Sequence, residues 1–554
     1  MLEGCVPWPA DRVKEYKQKG YWAGITLGQA FDEWVKKYAD RPAVISDSGT
    51  FTYSQLDDAA TRTAYHMAKL GIKTYDRVVF QLFNCVELVA AFYACMKIGA
   101  IPICSLALHR GAEISSLANQ SGAVAHVLHS GSFFDFDNEE FALKMQQEAP
   151  SLKLIFVAGK PSHSGMHSIN DLMDSDIDLK AARKMLAKYR PDPSEPAVFQ
   201  LSGGTTGTPK IIPRTHDDYL YNAKCVADRI GGDKNWRSLQ LIPIIHNAGL
   251  ICGLLPGLMV GGSIVFIKSF DGEQILASIQ KYKVNTMGAV PVFIHRLMDL
   301  PEDIVAKYDT SSFRRFLGLW NPDDPKIYQF MERFHCDGIQ VYGMAEGLIC
   351  WSRWSDPPEI RHKTQGIPVS EADEVRVVDP ETHEDAVLGQ SGECWCRGPY
   401  TVRGYYKAPE RNKEAFTPDG YYRTGDLVKK DSQGNITWSG RIKDCIDRGA
   451  EKINAEEVEN YILKYSKVKD VAVVGMPDKE LGERVCAFVV ASTGQSFTLE
   501  DLKEFLLKNL GITPFKVPER LEFIDELPVT KIGKYEKKSL REKITQKLKS
   551  EGKI

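Results

Sequence analysis

The sequence predicts an α/β protein: a large N-terminal domain of layered α/β subdomains, a small β-barrel-like subdomain, and a separate α+β domain at the C-terminus. Three observations predict it. Short apolar runs alternate with helical patterns through much of the first 300 residues. From about residue 374 to 440 the texture changes to short strands separated by Gly, Pro and Asp turns. The last hundred or so residues then form a helix and strand series of their own, and 554 residues exceed what one core usually serves.

The elements follow in order. RVVFQL (77–82) reads as a strand, and residues 86–98 as a helix ending at Gly99. AVFQLS (197–202) is a strand running into a glycine-rich loop, and GSIVFI (262–267) is another strand. Near the C-terminus, 455–463 and 499–510 read as helices and 468–474 and 485–491 as strands. The boundary is placed after Arg441, giving domains 1–441 and 442–554. There is no internal repeat at solenoid periods and no low-complexity segment.

Composition excludes several classes. With 43% hydrophobic and 26% charged residues the chain reads as a soluble globular protein, and a net charge of −3 carries no nucleic-acid signature. The first residues lack a basic stretch followed by an apolar core, so no signal peptide is expected. The most apolar region, 242–267, is interrupted by His246, Asn247, Pro256 and five glycines, which argues against a spanning helix and a membrane partner. The 12 cysteines are scattered from Cys5 to Cys486, which fits reduced thiols in a cytoplasmic enzyme. Cys394 and Cys396 are too close for the usual zinc spacings and read as alternate residues of a strand.

The strongest motif is SGGTTGTPK, residues 202–210. Its three glycines permit unusual dihedrals and close approach of an anion, with four hydroxyls and one ammonium around the same backbone. It follows a strand, where phosphate-cradling loops sit. It is not a Walker A loop, because Pro209 precedes Lys210 and Ile211 follows it. The stretch from Lys531 to Lys549 is basic, with eight Lys or Arg against two Glu.

With QVYGMAE (340–346), GECWCRG (392–398), YRTGDL (422–427), GRIKD (440–444) and PVTKIGK (528–534) following in order, the chain resembles the acyl- and aryl-adenylating superfamily over nearly its whole length. That superfamily contains acyl-CoA synthetases, nonribosomal-peptide adenylation domains and luciferases. IPRTHDDY (212–219) and GPYTVRGYY (398–406) look most like the dihydroxybenzoate-activating enzymes.

The resemblance implies an AMP-forming carboxylate ligase using ATP, Mg²⁺ and a thiol such as coenzyme A. It implies that Ser202, Gly203, Gly204, Thr205, Thr206, Gly207, Thr208 and Lys210 surround the phosphates, with Thr205, Thr206 and Lys210 on the β- and γ-phosphates. Glu346 and Thr206 would hold Mg²⁺, a hard cation that prefers oxygen ligands. Tyr342 would stack on adenine beside Gly343 and Met344, while Asp426 and Arg441 would take the ribose. Lys534 would bridge the carboxylate and α-phosphate, stabilising charge that appears only in the transition state.

A thiol must then approach once pyrophosphate has left, and the family manages this by rotating a mobile C-terminal domain. Lys443 matches the hinge, and Gly449 the loop lining the pantetheine tunnel. Ala450 stands where the family commonly has a second glycine.

IIHNAGL (244–250) matches one wall of the acyl pocket, with His246 as an aromatic gate. Amino-acid-activating members carry an aspartate where this chain has Asn247, so an α-amino acid is not expected. Dihydroxybenzoate enzymes place a tyrosine and a serine where Ala248 and Cys252 stand. Without those partners each buried ring hydroxyl would cost about 1–3 kcal/mol, so the expected acid is a cyclic one with few or no ring hydroxyls, benzoate-like or alicyclic. Gly343 borders the same pocket. Trp320 replaces the small residue the family has, which implies a shortened pocket or a shifted strand.

No carrier-protein domain lies between Lys534 and the end of the chain at Ile554. The expected acceptor is therefore free coenzyme A or a separate acyl carrier protein. Coenzyme A is the first reading, and a stand-alone aryl acid–AMP ligase loading a carrier is the alternative. The reading also allows a homodimer.

Overall fold

The computed structural model describes residues 1–554 except 134–135, 203–208, 289–290, 321, 323, 449–450, 480, 511, 513 and 531–534. Two large, mainly parallel sheets dominate its first part. One holds nine strands, in the order Ile367–Pro368, Ile349–Trp351, Asp337–Gly343, Arg315–Gly318, Thr286–Gly288, Arg237–Gln240, Ser263–Val265, Pro42–Ser46, Gly49–Thr52. The other holds seven: Ile211–Thr215, Pro196–Leu201, Ile101–Cys104, Arg77–Gln81, Ala125–His129, Leu154–Ala158, His167–Ser168. The near-continuous apolar runs of these strands mark sheets covered on both faces.

Between the sheets runs one shared core. Val78 and Phe80 from the seven-stranded sheet join Val44, Ile264, Leu317 and Ile339 from the nine-stranded sheet in the same apolar cluster. The helix Val86–Ile98 belongs to it and is buried on every side but Glu87 and Lys97, so its residues are apolar almost without period. It stops at Gly99, whose φ of +79° is left-handed and costs least for glycine.

The small β subdomain is an antiparallel meander of Glu374–Val378, Gly392–Arg397, Tyr422–Lys430 and Ile436–Arg441. Cys394 and Cys396 are alternate, buried positions on its second strand, as the sequence placed them. All 12 cysteines are free. No helix among the described residues is long and apolar enough to cross a membrane.

A separate five-stranded sheet follows: Cys445–Arg448, Glu451–Asn454, Val468–Asp478, Gly482–Ala491 and Arg520–Phe523. The run at 471–476 is apolar at every position because both faces are covered. Val471 and Val473 pack with the helix Ala455–Ile462, while Ala472, Val474 and Met476 pack with Leu540, Ile544 and Leu548 of the helix Lys537–Ser550. The stretch read as one helix from 499 to 510 is an α-helix over Leu499–Glu504 that widens into a π-turn over Phe505–Asn509.

This part meets the rest at the boundary and near Asp324. Asn454 Nδ2 donates to the Ser439 carbonyl across the boundary, and just past it Asp444 is held by Arg541 at 2.8 Å. The Tyr535 hydroxyl bonds Asp470 at 2.7 Å, close enough to Asp324 for that charge to help raise its pKa.

The strand Arg315–Gly318 precedes Trp320, and its register with the next strand is unbroken from Arg315↔Asp337 to Gly318↔Gln340. Trp320 is 4% exposed and packs on Phe316, ring centroids 4.9 Å apart, in a core with Ile327 and Phe330. Gly338, opposite Phe316, leaves the room: a Cβ there would lie 2.4 Å from Phe316 Cζ and 2.9 Å from Trp320 Cη2. Gly338→Ala should therefore lower the unfolding free energy by about 1–3 kcal/mol in urea titrations, and Phe316→Leu in the same chain should recover part of it.

Candidate active site

The strands that flank the glycine-rich segment form a hairpin. Pro196–Leu201 and Ile211–Thr215 pair antiparallel, with Leu201 opposite Ile211. One step beyond, Ser202 N donates to the Lys210 carbonyl at 3.0 Å and Lys210 N donates to Ser202 Oγ at 3.1 Å. Ser202 and Lys210 thus close the base of the loop. Gly203, Gly204, Thr205, Thr206, Gly207 and Thr208 lie outside the described residues, as do Gly449 and Lys534.

The strand after the loop carries Arg214, which has no exposed surface. Its guanidinium pairs with Asp218 at 2.8 Å, bonds Asn222 Oδ1 at 3.2 Å and donates to the Ala345 carbonyl at 2.9 Å. Burial pushes the Asp218 carboxyl up, while Arg214 and the Thr215 backbone and hydroxyl pull it back down. Asp218 also completes a capping box with Thr215, which starts the helix His216–Arg229.

Glu346 follows Ala345 and is buried. Its Oε1 accepts from the Tyr405 hydroxyl at 2.7 Å, and its carbonyl accepts from Val402 N at 2.8 Å. Tyr422 stands beside both, its hydroxyl 3.1 Å from that of Tyr405, with Glu346 among the groups that add to burial in raising its pKa. Lys210 reaches the same tyrosine from the other side, Nζ 4.7 Å from the ring centroid. Burial lowers the Lys210 pKa, Arg411 adds to this, and Glu346 opposes it.

Tyr342, Asp426 and Arg441 form a second group. The register of the β meander sets Asp426 opposite Arg441, and their side chains pair at 3.0 Å through Asp426 Oδ1. Asp426 Oδ2 accepts from the Tyr342 hydroxyl at 3.1 Å. A carboxylate in this position is the residue type that accepts from both hydroxyls of a diol. Just before Asp426 the strand is irregular at Gly425, whose φ of +69° suits glycine, and Glu393 on the paired strand accepts from Gly425 N at 2.9 Å. Lys443 follows Arg441 in a short 3₁₀ turn; burial and Arg441 lower its pKa, opposed by Asp444 and Asp426.

The segment 244–250 adjoins both groups. Asn247, 5% exposed, accepts from the Tyr219 hydroxyl at 3.0 Å and donates through Nδ2 to the Met344 carbonyl at 3.3 Å. His246 caps the short turn, its Nδ1 accepting from Ala248 N at 3.2 Å. A neutral His246 therefore carries its proton on Nε2. Gly249 is required, since a Cβ would fall 2.2 Å from the Pro243 carbonyl oxygen. Ala248 and Cys252 are half-buried, Cys252 on the π-turn Leu250–Leu254. Burial pushes the Cys252 thiol up to about 12, so it stays protonated and is no nucleophile at neutral pH. Gly343 ends its strand exposed, beside Met344.

The structure thus gathers Lys210 with Glu346, Tyr342 with Asp426 and Arg441, and Asn247 with Met344. Trp320 stands in the adjoining core. Sequence reasoning passed over Arg214, Asp218, Tyr219, Tyr405 and Tyr422. The Thr215-x-x-Asp218 spacing was the one local signal, because it marks a capped helix start.

Comparison with known proteins places this geometry. The profile described as "AMP-binding enzyme" matches residues 31–406, and that described as "AMP-binding enzyme C-terminal domain" matches 457–534. A salicylyl-CoA synthase / salicylate adenylyltransferase of Streptomyces sp is 38% identical over 98% of both chains. A 2,3-dihydroxybenzoate-AMP ligase of Bacillus subtilis is 38% identical over 99% of both. Among solved structures, apo Mycobacterium smegmatis MbtA superposes with a TM-score of 0.71 at 33% identity, covering 98% of this chain and 99% of that one.

Arg214→Leu, which strands the Asp218 charge, should cost about 3–5 kcal/mol in urea unfolding. Lys413→Ala, which removes an exposed ion pair with Glu410 at 3.0 Å, should cost about 0–1 kcal/mol by the same measurement.

Proposed function

This chain belongs to the AMP-binding enzyme family, and we propose that it activates a cyclic, weakly hydroxylated carboxylic acid with ATP and passes the acyl group to coenzyme A. The observation that carries the reading is the Asn247–Met344 hydrogen bond. It sets the acyl segment against the strand end that bears Tyr342 and Glu346, so an acid held there faces the nucleotide groups.

In the first half-reaction the acid's carboxylate attacks the α-phosphorus and pyrophosphate leaves. Lys210, at the base of the phosphate hairpin, offsets charge on the departing phosphates, and Thr205 and Thr206 are assigned beside it. Asp426 and Arg441 hold the ribose, and Tyr342, its hydroxyl fixed on Asp426, lies by the base. Lys534 is assigned to the carboxylate and α-phosphate, where an ammonium stabilises charge as it forms.

Mg²⁺ fits the donor set. Glu346 offers one buried carboxylate, and Mg²⁺ characteristically takes one or two carboxylates plus substrate phosphates and water. Glu346, with Thr206 assigned beside it, would supply the protein oxygens. When bound, the cation neutralises phosphate charge and orients the leaving group.

In the second half-reaction an external thiolate attacks the acyl carbon and AMP leaves. Lys443 is assigned as the hinge and Gly449 to the thiol's approach, with His246 beside the acyl group.

The acid is inferred from Ala248 and Cys252. Neither offers a strong hydrogen-bond partner, so each ring hydroxyl buried against them is disfavoured by about 1–3 kcal/mol. The carrier-loading alternative is supported by the dihydroxybenzoate-AMP ligase, as similar to this chain as the CoA-named relative.

Pyrophosphate exchange across benzoate, cyclohexenecarboxylate, salicylate and 2,3-dihydroxybenzoate should give the highest kcat/KM for the least hydroxylated acids, by about fivefold or more per hydroxyl. A preference for dihydroxybenzoate would falsify the acid assignment. With coenzyme A, ATP and the preferred acid, the acyl thioester and AMP should accumulate together. Adenylate without thioester would move the acceptor to a carrier protein.

A further inference from the structure

We propose that Tyr405 is a positioning residue that fixes Glu346 and Lys210 as one unit, so that metal and phosphate charge are bound together. This rests on the nucleotide-site reading above. One side chain touches both groups: its hydroxyl bonds Glu346 Oε1 at 2.7 Å, and its ring face lies 4.7 Å from Lys210 Nζ.

The tyrosine is the rigid member of the three. Asn412 clamps both of its backbone groups, accepting from Tyr405 N at 2.7 Å and donating to its carbonyl at 3.0 Å. On one side Val402 N holds the Glu346 carbonyl at 2.8 Å; on the other Tyr406 N holds the Ile211 carbonyl at 2.9 Å, next to the hairpin base. The Tyr405 ring packs in the same cluster as Tyr342 and Tyr422.

Two consequences follow for the charges. A glutamate rotates about three bonds, and Mg²⁺ demands near-octahedral oxygens. With Oε1 engaged by the hydroxyl, Oε2 is presented in one orientation. Lys210 and Glu346 carry opposite charges close enough for each to be felt, yet among the described residues both run to the tyrosine rather than to each other. The aromatic face attracts the ammonium without neutralising it. Both charges are thereby kept for the metal and the phosphates.

The test is Mn²⁺ binding to the complex of the full chain with a non-hydrolysable ATP analogue, read by electron paramagnetic resonance, beside analogue binding in EDTA and the melting temperature. Tyr405→Phe keeps the ring and should weaken Mn²⁺ binding about tenfold, with metal-free analogue binding within about twofold of wild type. Tyr405→Leu removes the face as well and should also weaken metal-free binding, by about fivefold.

Wild-type Mn²⁺ affinity in Tyr405→Phe overturns the proposal. Glu346→Gln separates it from its premise. If that variant binds Mn²⁺ normally, the metal reading of Glu346 falls and the proposal with it. If Glu346→Gln is weak and Tyr405→Phe is not, only the role of Tyr405 falls. Should Tyr405→Phe melt more than about 10 °C early, Tyr422→Phe decides. It removes the hydroxyl 3.1 Å behind and should lose Mn²⁺ affinity about threefold; unchanged affinity there overturns the proposal.

Discussion

A guanidinium with no solvent contact has to be satisfied wholly by protein, and Arg214 meets that demand by tying three parts of the chain together. Asp218 neutralises it, Asn222 takes a second donor, and the Ala345 carbonyl takes a third. Burying the pair costs several kcal/mol per ion, and only this number of bonds offsets it. The geometry therefore has little freedom. Lys210 lies four residues before Arg214, Tyr219 one residue after Asp218, and Glu346 one residue after Ala345. A single strand-to-helix turn thus sets the hairpin base, the partner of Asn247 and the approach of Glu346.

The same economy explains why the site is backed by tyrosines. Tyr219, Tyr342, Tyr405 and Tyr422 each bury a ring and spend a hydroxyl on a neighbouring polar group. An apolar ring excludes water from behind the charges, and the hydroxyl keeps a buried acceptor from being left unsatisfied. Asn247, Asp426 and Glu346 are the three acceptors so fixed.

Much of this was legible in the sequence where local chemistry decides structure. The helix Val86–Ile98 and its stop at Gly99 follow from an apolar run ended by a residue that accepts positive φ. The strand that runs into the glycine-rich loop follows from an apolar run ended by glycines, whereas its antiparallel return at Ile211–Thr215 was not read, because pairing with a neighbour leaves no local signal. Asp426 and Arg441 could be named from motifs, but their pairing depends on strand register, which no local signal carries. Tyr405 and Arg214 were passed over because a tyrosine or an arginine reads as an ordinary residue until distant partners meet it. Gly338 is the sharpest case. Trp320 looked too large for its place, and the room for it comes from the opposite strand, eighteen residues on.

The C-terminal part shows how closely the proposed nucleotide site and the proposed hinge adjoin. Arg441 ends the strand Ile436–Arg441 with its side chain on Asp426, and the 3₁₀ turn Ile442–Asp444 begins at the next residue. Asp444 is held by Arg541 of the last helix, and Arg541 also reaches the Lys443 carbonyl at 3.4 Å. Asn454 caps the helix Ala455–Ile462 and bonds Ser439 on the strand that carries Arg441. In the proposed cycle Lys443 is the pivot, so rotation must break the Asn454–Ser439 contact while leaving the Asp426–Arg441 and Arg541–Asp444 pairs intact. The Asn454–Ser439 contact crosses the pivot, Asp426–Arg441 lies before it and Arg541–Asp444 after it. A bound nucleotide that strengthens the Asp426–Arg441 pair therefore stiffens the fixed side of the pivot without opposing the turn.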